Sequence, residues 1–209
     1  MTNLLNNKNL QAGMQIWYIQ TTWPRDFHNQ FYQDLHRRRQ HGLDTKWWPP
    51  TVDDLWRWKA IRPLTKGIVL ARGQNNLQHL QREYARIQSI LGNRIPSLSN
   101  LAWEDVADLY HIASQIKNVN SPVFGSKLCH FIMPDAFPVI DSNIIKKCKK
   151  VIGASAHSYE AYWRFCKSQW VGCIARPQLV QTMQKAIGPN IFLHYPYAVK
   201  ITELCISGS

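Results

Sequence analysis

A chain of 209 residues, 45% of them hydrophobic, is long enough for one large domain or two small lobes sharing a core, and too apolar to stay disordered. Twenty-five Lys and Arg against 13 Asp and Glu leave a formal charge of +12. This favours an anionic partner, nucleic acid first; a membrane surface is the rival, but no basic amphipathic helix stands apart from the rest.

No window approaches the ~18 apolar residues of a membrane span, and MTNLLNNKNLQAGM lacks the charged head and apolar run of a signal peptide. Five cysteines without a CxxC pair (Cys129, Cys148, Cys166, Cys173, Cys205) predict reduced thiols in a cytoplasmic protein, with no metal or other cofactor. Thr22 and Pro24 open the first predicted helix, which carries Phe27, Phe31 and Leu35 at i, i+4, i+8 and ends at Gly42. Its last turn, HRRRQ, sets Arg37, Arg38 and Arg39 against the negative end of the dipole, or against a phosphate.

GLDTKWWPP reads as a turn-rich loop. Thr51 with Asp54 resembles a capping pair before the short helix LWRWKAIRP, ended by Pro63. The next helix bears Leu77, Leu80, Tyr84, Ile87 and Leu91 and stops at Gly92; Ser99 or Asn100 caps the one after, with Trp103, Val106, Tyr110 and Ala113 inward. A tight NVNSP connection leads to Ser121 and Pro122, which start a helix running to Met133. FPVI is extended, and Asp141 N-caps SNIIKKCKK. Ser158 caps a helix with Tyr159, Tyr162, Trp163 and Cys166; Pro177 begins another, closed by Gly188; Tyr197 to Ile206 forms the last. Nothing alternates as a strand. The expected fold is all-α, roughly eight helices over 1–209, in two helical lobes with a helix-hairpin-helix element at about 103–133.

The stretch SPVFGSKLCHFIMPDAFPVIDSNIIKKCKK concentrates the chemistry. Phe124, Leu128 and Phe131 form its apolar stripe, and Lys127 lies between Phe124 and Phe131. A lysine at the positive end of a helix, desolvated by aromatic neighbours, is expected to favour its neutral, nucleophilic amine. At the N-cap, Asp141 accepts backbone N–H bonds and is expected to stay ionised near pH 7. A helix start also offers amides and a positive dipole to a DNA phosphate. Lys146, Lys147, Lys149 and Lys150 either answer their helix dipole or hold a phosphate.

SPVFGSK and VIDSNI resemble the paired signatures of the helix-hairpin-helix DNA glycosylase superfamily: a hairpin L-P-G-V-G-x-K opening a helix, then an aspartate in a V-D-x-H-[VI] setting. In that register Pro122, Gly125 and Lys127 match the family's proline, second glycine and catalytic lysine, Asp141 its catalytic aspartate, and Ile144 the closing aliphatic position. Val123 stands where the family has its first glycine, Asn143 where it has histidine, and Lys127 and Asp141 are closer in sequence than usual.

The resemblance implies a monomeric enzyme on duplex DNA that flips a modified or damaged base into a cleft between the lobes and cuts its N-glycosidic bond. Asp141 would stabilise the sugar cation or align water; Lys127 would either attack the sugar, adding lyase activity, or only position Asp141 or a phosphate. Pro122, Val123, Gly125, Ser126, Lys146, Lys147 and Lys150 would hold DNA, with Trp47, Trp48, Asn143 and Phe124 as base-pocket candidates. One divergent branch resembling this chain serves bacterial defence against phages by removing sugar-modified hydroxymethylcytosine. Two other readings remain open: a non-catalytic duplex-DNA-binding module and an RNA-binding protein.

Overall fold

The computed structural model describes residues 3–40, 42–117, 121–152, 158–188 and 194–209. Among these residues it is all-α, with ten helices and no strand. In chain order they are α1 Asn7–Gln20, α2 Phe27–Arg39, α3 Trp48–Arg57, α4 Lys66–Leu91, α5 Trp103–Lys117, α6 Pro122–Ile132, α7 Ser142–Ile152, α8 Tyr159–Val171, α9 Arg176–Ile187 and α10 Tyr197–Gly208. No helix of the described residues is long and apolar enough to cross a membrane. Contacts divide the chain into two compact units, one of residues 1–36 and 140–209, the other of residues 37–139.

In the first unit α1 packs along α10, and α7, α8 and α9 also pack on α10. Sequence reading missed α1, whose Gly13 looks like a breaker. Asn6 starts it by accepting a hydrogen bond from the Asn9 amide (2.9 Å), and Gly13 marks where the backbone of α10 runs against it. Ser158 caps α8 through the Ala161 amide, and Gly188 closes α9 with φ 89°, a backbone conformation that suits glycine.

In the second unit α3, α4, α5 and α6 pack pairwise. Helix α4 takes Thr65 as N-cap and Gly92 as its stop, while α5 begins later than the predicted caps Ser99 or Asn100. The expected loop GLDTKWWPP is corrected. Helix α3 starts at Trp48, and Pro49 and Pro50 occupy its first turn, where a missing N–H costs nothing. The Asp44 carboxylate accepts from the amides of Lys46 and Trp47 just before it. The side chain of Phe27 and residues 118–120 of the predicted NVNSP connection lie outside the described residues.

All five cysteines are free and buried. Burial pushes the Cys148 and Cys205 thiols up to about 12 and those of Cys129 and Cys166 well above the usual range. The thiolate is the reactive form, so native protein should leave dithionitrobenzoate essentially unreacted over minutes. Guanidinium should then release all five thiols. Fast titration of even one thiol in the native state would contradict this burial.

Candidate functional site

Helix α6 lies against α5 because Gly125 permits it: a Cβ there would sit 3.0 Å from both the Ser114 Cβ and a Tyr110 ring carbon. Gly125 is buried, and its amide already donates to the Ser121 carbonyl (2.9 Å). Gly125 is among the residues expected to hold DNA; its amide belongs to the helix ladder, and the residue serves helix packing. Ser126 is also buried, with its hydroxyl donating to the Val123 carbonyl (3.1 Å), whereas Pro122 and Val123 are half-buried.

Lys127 is buried on α6, 8% exposed, beyond the first turn, where the helix dipole has faded. Its Nζ donates to the Trp58 carbonyl (3.0 Å) and lies 4.9 Å from the Trp58 ring centre. A carbonyl oxygen and an indole face are both partners for an ammonium. Trp58 is itself held edge-on by Phe131, at 5.6 Å between centroids, and by His130, at 5.9 Å. His130 is buried, with Nδ1 2.8 Å from the Phe137 carbonyl oxygen.

The turn after α6 carries Asp135, a carboxyl that sequence reading passed over. Burial pushes it up to about 7, with the Arg39 charge pulling the other way. Arg39 meanwhile donates to the Ile132 carbonyl (3.0 Å). The folded state thus keeps this proton up to about pH 7, while the unfolded chain releases it near 3.8. The unfolded state binds fewer protons across that window, so stability falls as pH rises through it. Asp135→Asn removes the ionisation: it should melt with the parent near pH 4 and be more stable at pH 8 by up to about 4 kcal/mol. Thermal melts at the two pH values check this, and an equal difference at both would refute it.

Asp141 sits in the other unit, half-buried, at the start of α7. One carboxylate oxygen, Oδ1, accepts from the amides of Asn143 and Ile144, each at 2.9 Å. The predicted cap is therefore in place. Among the described side chains of α7, Ile144 and Cys148 are buried, and the helix packs on α10. Asn143, Lys146, Lys149 and Lys150 are exposed, while Lys147 donates to the Ser209 carbonyl (2.7 Å).

Three base-pocket candidates lie in the interior of the second unit. Trp47 and Trp48 are 1% and 0% exposed. Trp48 donates from its indole to the Leu70 carbonyl (2.9 Å) and rests on Gly73 of α4, where any Cβ would overlap its ring. Phe124 is fully buried in the second unit. All three build core, since a pair of indoles beside prolines can close the foot of a helix as readily as meet a base. Among the described residues no three His, Cys, Asp or Glu side chains converge as a metal site. No protein-family model, curated protein or solved structure matches the chain.

Proposed function

We propose that this chain is a DNA glycosylase that extrudes a modified base from duplex DNA and hydrolyses its N-glycosidic bond, with sugar-modified cytosine of phage DNA as its substrate. The observation that carries the reading is the half-exposed Asp141 carboxylate, fixed by two backbone amides at the head of a helix with four lysines and no acidic residue. The resemblance of residues 121–144 to the superfamily's signatures adds to it. Extrusion costs a few kcal/mol of lost stacking. The C1′–N bond then breaks with its electron pair leaving on the base, and positive charge develops on the sugar. Asp141, already oriented, stabilises that charge; water supplies hydroxide to C1′ and a proton to the departing base. Exposed Lys146 and Lys150 attract the phosphates, which makes binding fall steeply with salt.

Lys127 adds lyase chemistry only if its amine leaves the Trp58 carbonyl and ring, loses a proton and attacks C1′. Borohydride reduction in the presence of substrate DNA reads this directly: a covalent adduct absent from Lys127→Ala assigns the lyase, and none assigns simple hydrolysis.

The burial of Lys127 and the use of the Gly125 amide inside α6 favour a second reading, a DNA-binding module without chemistry. Salt-sensitive duplex binding with no alkali-labile site in any modified DNA would establish it in place of the enzyme.

A further inference from the structure

The second unit carries an exposed edge that the proposed chemistry leaves unused, at the turn from α3 into α4. Of the nine tryptophans, Trp56 alone is exposed, at 36%. Around it in the chain Arg57, Lys59, Arg62 and Lys66 are all exposed, against two acids, Asp53 and Asp54. Both acids are engaged within the protein: Asp53 pairs with Lys66 (2.7 Å), and Asp54 with Arg38 (2.5 Å) and Arg57 (3.6 Å). Among the described residues Lys59 and Arg62 take part in no ion pair. The Arg62 guanidinium instead lies over the Trp56 ring, 5.9 Å from its centre.

The second observation is the backbone beneath these side chains. Helix α3 closes with the Ala60 amide donating to the Leu55 carbonyl and the Lys59 amide to the Trp56 carbonyl, each at 2.9 Å. That double closure holds Lys59 at φ 55°, the left-handed position that glycine usually takes at such a helix end. A lysine there costs stability, and residues strained in this way gather where a surface binds something. The turn is also tied down from α5 and α4. Lys117 Nζ donates to the Ala60 and Arg62 carbonyls (2.8 and 2.5 Å), and Arg72 donates to the Lys117 carbonyl (2.6 Å). Trp56, Lys59 and Arg62 thus stand on a fixed backbone, which a ligand need not order.

We propose that this edge binds single-stranded DNA, with the Trp56 ring stacking on one unpaired base while Lys59 and Arg62 hold the flanking phosphates. An exposed indole between two cations matches a single strand, in which every base offers a π-face and every linkage an anion. A bilayer is the poorer match: Leu55, Trp58 and Ile61 beside the ring are buried, so one indole is too little apolar surface to enter it. The choice of DNA over RNA rests on the glycosylase reading. The stacking does not, and Asp141 belongs to the other unit.

The test uses the full chain and a fluorescent DNA strand of about a dozen nucleotides, read by anisotropy at low salt. Binding should saturate, weaken about tenfold in Trp56→Leu, and stay close to the parent's in Trp56→Phe, which keeps a stacking ring. Lys59→Gly should weaken it about threefold or more while melting no lower than the parent, because glycine relieves the turn. A base-free strand of abasic spacers should bind about tenfold less tightly than the DNA, and equally to parent and Trp56→Leu. Equal affinity for the base-free strand, parental affinity in Trp56→Leu or in Lys59→Gly, the same strand as RNA bound more tightly, or phosphatidylserine vesicles bound in its place would each overturn the proposal. Strand binding without abasic sites in any DNA would sink the enzyme and spare this edge; abasic sites without strand binding would do the reverse.

Discussion

Asp141→Asn should lower base excision by about a hundredfold to a thousandfold while leaving the fold and DNA affinity almost unchanged. The substitution is unusually clean at this position. Oδ1 accepts from the Asn143 and Ile144 amides, and an asparagine oxygen can accept both bonds in the same geometry. Asparagine and aspartate are nearly equal as N-caps, so α7 keeps its start. On the proposed mechanism, what disappears is the negative charge that stabilises the sugar cation. The measurement is strand cleavage by hot alkali after incubation with duplex phage DNA carrying glucosylated hydroxymethylcytosine, with a melting curve and a salt-dependent binding isotherm alongside. Asp141→Ala gives the contrast: it should lose both the charge and the cap, the latter worth about 1 kcal/mol. Full activity in Asp141→Asn would remove the carboxylate from the chemistry and leave the lysine-bearing helix as a binding surface.

The contrast between Asp141 and Lys127 shows which parts of a site a sequence can reveal. A cap is a local device: an aspartate after an extended FPVI and before SNIIKKCKK declares its own hydrogen bonds within three residues. The partner of Lys127 is Trp58, 69 residues away, and no periodicity along α6 could name it. The burial of Trp47 and Trp48 was hidden for a related reason. Their neighbouring prolines suit both a loop and the first turn of a helix, and the deciding contact is Gly73 on α4. Lys200 and Glu203 stand at i, i+3 in the otherwise apolar AVKITELCIS, and the structure pairs them on a buried stretch of α10.

Gly13→Ala should destabilise the first unit by about 3 kcal/mol, although alanine is the better helix former. An alanine in a helix interior is worth up to about 1 kcal/mol over glycine. At Gly13 the added methyl would overlap the Leu204 carbonyl and lie 3.0 Å from the Leu204 Cα. The obstacle is backbone, so no rotamer change relieves it; α1 and α10 must move apart, and overpacking of this kind costs about 1–3 kcal/mol even among side chains. Separation also loosens the second close approach, where Gly208 of α10 lies against the Asn9 carbonyl and the Gly13 amide. Helix α10 is the element on which α7, α8 and α9 also pack, so the loss spreads through that unit. A fall in Tm of roughly 6–12 °C is expected for a chain of this size. Gly67→Ala is the control: it sits exposed in the first turn of α4 with nothing within 4 Å of an added Cβ, and should raise stability by a few tenths to about 1 kcal/mol. Should both variants melt higher than the parent, the backbone contact of α1 with α10 is not what holds this unit together.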